Sequence, residues 1–193
     1  MTNPIAAAVA DHRRLIEDLT RQEGLLRDIA ATIIDAIEDG HGVYLLGNGG
    51  SAADAQHIAA EFVGRYKLDR RPLPALALTT DTSNLLSIGN DYGFGHVFTR
   101  QVEALVRAGD VVWALSTSGN SSNVIEAVQA ARAKEACVVG FTGKGGGKLR
   151  PFCDHCFCVD HTSSDRIQEI HQVAYHAVCE LVERHFAASG EDR

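Results

Sequence analysis

The sequence predicts an α/β fold: a parallel sheet covered by helices on both faces. Five short apolar runs, at Val43–Leu46, Ala75–Leu78, Val111–Leu115, Cys137–Phe141 and Cys156–Val159, read as continuously buried strands. Helical periodicity fills most of the intervals between them. Turns rich in glycine or serine follow the first and third runs, outside the carboxyl ends of the strands, where such folds bind ligands.

Residues from about Ile5 to Gly40 read as one long helical arm. Leu15, Leu19, Leu25, Leu26, Ile29, Ile33, Ile34 and Ile37 recur at three- and four-residue steps, and Gly40 is a natural stop. A core domain has no need of the whole arm, so part of its apolar stripe is expected to face another subunit. After the first strand, the glycines of Gly47-Asn48-Gly49-Gly50-Ser51 let the backbone turn and leave N–H groups free at a helix start. Ser51 reads as the N-cap and Asp54 as its capping-box partner. Asp69-Arg70-Arg71-Pro72-Leu73-Pro74 is a loop by its prolines. Thr80–Ile88 is expected as a short helix, Gly89-Asn90-Asp91-Tyr92-Gly93 as a turn and Val97–Val106 as helix. Asn123–Lys134 is a further helix. A glycine-rich loop at Gly143–Gly147 leads to a short helical turn, and a helix from about Asp165 to Phe186 precedes a polar tail. No repeat, linker or second domain is visible, so 1–193 reads as a single domain with 1–40 as its arm.

The 193 residues are 45% hydrophobic and 22% charged, ordinary for a globular chain that needs no membrane. The net charge of -7 disfavours a general nucleic-acid role, because phosphate backbones attract basic surfaces. No apolar run approaches the ~20 residues that span a bilayer. The start, Met1-Thr2-Asn3-Pro4, lacks the basic and apolar regions of a signal peptide. Five cysteines, an odd number on mostly apolar segments, suit reduced thiols and a cytoplasmic protein.

Three stretches could carry chemistry. His57 and Glu61 are four apart and share a helix face. The spacing suits metal ligands or a general base, and equally a plain helix-face hydrogen bond. Ser116-Thr117-Ser118-Gly119-Asn120-Ser121-Ser122-Asn123 concentrates hydroxyls and free N–H groups at a helix N-terminus, whose partial positive charge favours anions. It has no P-loop lysine, so a monophosphate fits better than a triphosphate. Its bland reading is a polar turn with an N-cap. On the last helix, Gln168 and His176 lie two turns apart, roughly 12 Å along the axis, and could only just reach one ion. Each alone is more often structural. Cys153-Asp154-His155-Cys156-Phe157-Cys158 resembles a metal or redox box but has no second CxxC. Arg65, Lys67, Arg70 and Arg71 either steer an anionic substrate or solvate a loop. Lys144-Gly145-Gly146-Gly147-Lys148 could also meet a phosphate, but a flexible loop is the favoured reading.

Taken in order, Gly47-Asn48-Gly49-Gly50-Ser51-Ala52-Ala53-Asp54-Ala55-Gln56-His57, Gly89-Asn90-Asp91-Tyr92-Gly93, Ser116-Thr117-Ser118-Gly119-Asn120-Ser121 and Arg166-Ile167-Gln168-Glu169-Ile170-His171 resemble the phosphoheptose isomerases, sugar isomerase (SIS) domain proteins. The likeness runs from about Leu26 to Phe186. His161-Thr162-Ser163-Ser164 is a little shorter than in some relatives. The resemblance implies a flavodoxin-like three-layer α/β/α sandwich with a five-stranded parallel sheet and the N-terminal helical arm. It implies a homotetramer with active sites at subunit interfaces. It implies conversion of D-sedoheptulose 7-phosphate to D-glycero-D-manno-heptose 7-phosphate, the first step towards ADP- or GDP-heptose. Ser116, Thr117, Ser118 and Ser121 would hold the phosphate. Asn48, Gly49, Gly50, Asn90, Asp91 and Asp165 would contact the sugar, with Glu61 and Gln168. One zinc per subunit would sit on His57, Glu61, Gln168 and His176, and Glu61 and His176 would be the acid–base pair. The serine loop thereby becomes the phosphate site, and the Gly47–Ser51 turn is left for the sugar end.

Rival readings are a non-catalytic SIS adaptor that binds a replication initiator protein, and another sugar-phosphate isomerase, such as one acting on arabinose 5-phosphate. The presence of both Glu61 and His176 speaks against the adaptor. The Arg166–His171 pattern speaks against the second.

Overall fold

The structure, a computed structural model, describes residues 3–188. The Met1-Thr2 start and the polar tail at 189–193 lie outside the described residues. The helical arm is made of two helices. α1 (Pro4–Thr20) begins on Asn3, whose side-chain oxygen accepts from the N–H of Ile5 at 3.0 Å, with Pro4 in the first turn. α2 (Glu23–Glu38) follows after Arg21 and Gln22, whose N–H groups bond back to Asp18 and Leu19. The break is possible because no apolar side chain in Thr20-Arg21-Gln22 ties the chain to a single straight axis. It lets the two helices bury unlike amounts: α1 buries Leu15 alone, whereas α2 buries Leu26, Ile29, Ala30, Ile33, Ala36 and Ile37.

The remaining elements are β1 (Val43–Gly47), α3 (Gly50–Val63), β2 (Ala75–Ala77), α4 (Thr82–Tyr92), α5 (Thr99–Leu105), β3 (Val111–Ser116), α6 (Ser122–Ala133), β4 (Cys137–Gly143), β5 (His155–Val159) and α7 (Ser164–Ala188). The strands are all parallel, in the order β2-β1-β3-β4-β5. Alternate strand residues feed two cores. Leu45, Trp113, Phe141 and Phe157 meet α2, α3 and α7 on one face; Leu46, Ala114 and Val138 meet α5 and α6 on the other. This is the three-layer doubly wound arrangement that the strand runs predict.

Four local expectations are corrected. Gly49, at φ 57° and ψ -123°, is the N-cap of α3; Ser51 lies inside the helix, and Asp54 is not its capping partner. The sharp turn must be made where only glycine is unstrained, and that displaces the cap from the serine. Second, α4 runs through Gly89-Asn90-Asp91-Tyr92 rather than ending before it. An interior glycine costs a helix only about 1 kcal/mol, and Gly93 at φ 88° supplies the stop. Third, Val97 and Phe98 are a buried junction between a 3-10 turn (Phe94–His96) and α5, so the Val97–Val106 helix is shorter than expected. Fourth, the glycine-rich loop is exposed at Lys144 and Gly145 but is tied to the serine loop at its far end, where Gly147 lies against the Ser118 and Gly119 backbone. Gly119 accepts from the Leu149 N–H at 2.9 Å, and Asn120 Oδ1 accepts from the Lys148 N–H at 3.2 Å.

Candidate active site

α3 and α7 lie side by side on one face of the sheet and run in the same direction. Three successive sets of contacts join them: Asp54 with Gln168 and Gln172, then His57 and Glu61 with His176, then the chain after α3 with Glu183.

The middle set is the chemical one. His57 Nε2 lies 3.0 Å from His176 Nε2 and 3.3 Å from Glu61 Oε1. The three ligand atoms all fall within 4.8 Å of one another. Ligand atoms bonded to one tetrahedral zinc at 2.0–2.1 Å stand roughly 3.4 Å apart, so the spacing suits a shared cation. The donors are also of the right kind, two imidazoles and a carboxylate. His176 is held by rings: Tyr66 stacks on it with centroids 5.5 Å apart and planes at 19°, and Tyr175 lies at 4.5 Å. Burial, and then the neighbouring His57, push the His176 pKa below the ordinary histidine value. Burial raises the Tyr175 hydroxyl far above its usual range, with Asp54 adding to the effect, so Tyr175 stays protonated.

Gln168, the expected fourth ligand, points its amide elsewhere. It donates to Asp54 at 2.8 Å and lies against Gly50, where a Cβ would stand 2.4 Å from its Oε1. Gly50 is therefore a gap that the Gln168 side chain occupies. Asp54 is buried, and its carboxylate accepts from both Gln168 and Gln172.

The serine loop closes β3 and opens α6. Ser116 ends the strand, and its Oγ donates to the Ser121 Oγ at 3.4 Å. Ser121 is the N-cap of α6 but makes no side-chain cap bond, so its hydroxyl and the first helical N–H groups remain available to an anion. Thr117 and Ser118 are half-buried between them. Asn48 joins this loop to the glycine turn through paired amide bonds with the buried Asn123, at 2.8 and 3.0 Å. The turns after the adjacent strands β1 and β3 are thus one construction.

The other expected contacts are placed but not assembled within the chain. Asn90 and Asp91 sit exposed on the last turn of α4, with the Asn90 amide donating to Asp91 at 2.7 Å. Asp165 lies on the first turn of α7, exposed, bonded by the Ser163 hydroxyl and by Arg166, which hold its carboxyl well below the usual range. Near Asn90 and Asp91 the chain exposes Leu86, Tyr92 and Phe94, at 73%, 53% and 66%.

Arg70 was expected to steer an anion or solvate a loop, yet its side chain is only 2% exposed. It donates to the carbonyls of Glu61, Gly64 and Arg71. Lys67 pairs with Glu180 at 2.7 Å, and Arg71 lies over the Phe186 ring. Cys153, Cys156 and Cys158 are free thiols. Hydrogen bonding between thiols and burial push Cys156 up to about 11, which disfavours the thiolate a redox site would use. Sequence reasoning missed Tyr66 and Glu183, and gave Asn123 and Tyr175, which fall within the serine loop and the last-helix stretch, no role of their own; for Glu183, the signal available was an acidic residue one position after Val182 on the buried stripe.

A model of the SIS domain family matches residues 9–143. A phosphoheptose isomerase of Pelobacter propionicus is 48% identical over 185 residues, covering 95% of this chain and 98% of its own. One of Aquifex aeolicus is 55% identical over 156 residues, covering 81% and 82%. The solved phosphoheptose isomerase of Neisseria gonorrhoeae superposes with a TM-score of 0.88 at 43% identity, over 93% of this chain and 97% of that one.

Proposed function

The chain belongs to the phosphoheptose isomerases of the SIS-domain class and is a sugar-phosphate isomerase; from that premise we propose that it converts D-sedoheptulose 7-phosphate to D-glycero-D-manno-heptose 7-phosphate. The observation that carries the reading is the convergence of His57, Glu61 and His176, two of them on the helix that follows the glycine turn, which Asn48 and Asn123 tie to an anion-ready serine loop.

In this reading Ser116, Thr117, Ser118 and Ser121 hold the phosphate, and the grip on that remote end sets the reacting carbons. Asn48, Gly49, Gly50 and Asp165 line the sugar end, with Asn90 and Asp91. Glu61 takes the proton from C1 while His176 gives one to the carbonyl oxygen on C2, which forms an enediol. The carbon proton returns from Glu61 to C2, and His176 takes the proton from the oxygen on C1, which leaves the aldehyde. A carboxylate suits the carbon proton, and an imidazole suits transfer between two oxygens.

His57, Glu61 and His176 would hold a zinc ion, and Gln168 would join them if its amide left Asp54. When bound, zinc organises these side chains and can polarise a carbonyl. Glu61 is the base in this account; His57 Nε2 lies 3.3 Å from its Oε1, and Arg70 donates to its backbone carbonyl. Exposed apolar side chains support a tetramer whose interfaces complete the site. They lie on α1 (Ile5, Val9) and around the end of α4 (Leu86, Tyr92, Phe94). Among the described residues no helix is long and apolar enough to cross a membrane, in keeping with a cytoplasmic enzyme at the first step towards activated heptose.

The test is direct. Protein supplied with zinc and sedoheptulose 7-phosphate is followed by NMR, beside arabinose 5-phosphate as the competing substrate. The account expects the seven-carbon aldose 7-phosphate; turnover of the five-carbon sugar alone, or of neither, contradicts it.

A further inference from the structure

Glu183 is a carboxylate at 1% exposure among apolar neighbours on α7. It accepts three successive backbone N–H groups, from Tyr66 and Lys67 at 2.6 Å each and from Leu68 at 2.9 Å. Consecutive N–H groups turned to one point form an anion nest, here filled by the protein's own side chain. Burial alone would raise the Glu183 pKa, but these three donors, with Arg70 beside it, hold it below the ordinary value. A buried charge of this kind rarely exceeds a well-packed apolar residue in stability. Its place therefore asks for another reason.

That reason lies in what the nest holds. The segment that Glu183 fixes carries Tyr66, whose ring lies flat on His176. Arg70, with Nε 3.9 Å from Glu183, donates to the backbone carbonyl of Glu61 itself at 2.6 Å. One side chain of α7 thus governs both the ring behind His176 and the clamp on the last turn of α3.

We propose that Glu183 is a positioning residue for the Glu61–His176 pair: it pins residues 66–68 and Arg70 so that the two helices present base and acid at a fixed separation. The proposal rests on the roles given to Glu61 and His176 above. It acts through other groups; Glu183 itself touches no reacting atom.

The experiment compares Glu183→Gln, Tyr66→Ala and Tyr66→Phe with the wild type. Glutamine replaces one of the two accepting oxygens by an NH2 donor, so that one or two of the three N–H groups lose their acceptor, with little change of volume. Losing such outer support costs about 10–100-fold in metal affinity or activity. Glu183→Gln is expected to lower kcat and zinc affinity by at least about tenfold, on that scale, with KM for sedoheptulose 7-phosphate within about twofold because the serine loop is untouched. Tyr66→Ala should reproduce the loss and Tyr66→Phe, which keeps the ring, should recover most of it. In metal-free protein the His176 ring signals in NMR should move in Glu183→Gln toward their positions in Tyr66→Ala. Wild-type kcat and unmoved His176 signals in Glu183→Gln would overturn the inference. Should that variant fail to fold, Tyr66→Ala decides: wild-type kcat and unmoved His176 signals overturn it. If the wild type turns over no sedoheptulose 7-phosphate, the proposed function fails, and the His176 signals, which need neither metal nor turnover, settle the positioning role alone.

Discussion

Replacing Glu61 by glutamine preserves the shape of the side chain and removes its basicity. Removal of a positioned general base costs about 10²–10⁴-fold, so kcat of Glu61→Gln in the NMR turnover assay should fall by that much. His171 gives a second residue-scale prediction. It is fully buried, packs on Phe141 and Phe157, and lies 3.0 Å from the Thr142 carbonyl. Burial lowers its pKa from 6.5 to about 4. The folded state holds this ring neutral, whereas the unfolded chain binds a proton below 6.5. Its stabilisation is therefore complete above pH 6.5 and is lost as pH falls through the window down to about 4. The loss totals about 3 kcal/mol by linkage. Urea unfolding at pH 7.5 and pH 4.5 measures it, and His171→Phe should show a smaller difference. At this scale the sequence exposed what repeats. The four-residue step from His57 to Glu61 marks one helix face whatever surrounds it. Nothing in the local pattern reveals that Arg70, in a proline loop, is buried, or that Glu183 meets a segment 115 to 117 residues away. Those facts belong to the way two helices pack.

Among the elements, the serine loop and the glycine-rich loop after β4 are best understood together. Gly119 sits at φ 62°, and a Cβ there would meet the Gly146 carbonyl oxygen at 2.1 Å, a backbone atom that cannot swing away. Gly119→Ala should therefore destabilise the protein by about 1–3 kcal/mol through backbone strain, read as a lower Tm, and raise KM for the sugar phosphate. By contrast, the nearest atoms to a Cβ at Gly50 are the far end of the flexible Gln168 side chain. Gly50→Ala should leave Tm close to wild type but alter zinc affinity, since the displaced amide is the expected fourth ligand. Strands were the legible elements, because continuous apolar runs of four or five residues have few other uses in a parallel sheet. Helix ends were less so. Gly89 looked like a breaker but sits within α4, and Ser51 looked like a cap but yielded that place to Gly49. In each case backbone geometry outweighed the residue's preference.

For the whole molecule, the sheet order brings β1 and β3 together, and with them the two turns that sequence alone kept 65 or more residues apart. The α/β class and the parallel sheet followed from the strand runs and the five-stranded flavodoxin-like core from the family resemblance; the strand order itself was read only from the structure. What a single chain cannot display is the company of Asn90, Asp91 and Asp165, which lie exposed and which the account assigns to sites shared between subunits. Sedimentation should accordingly give the mass of four chains. Replacing Ile5 and Val9, at 74% and 47% exposure, by glutamate should reduce that mass and the turnover together. The central claim is that His57, Glu61 and His176 join the serine loop in an isomerase for a seven-carbon sugar phosphate. The most direct measurement is NMR of sedoheptulose 7-phosphate incubated with the zinc-supplied protein in deuterated water. The account predicts the aldose 7-phosphate carrying deuterium at C2, since a proton held on Glu61 exchanges with solvent. Unchanged ketose, with the protein folded and zinc bound, would contradict it.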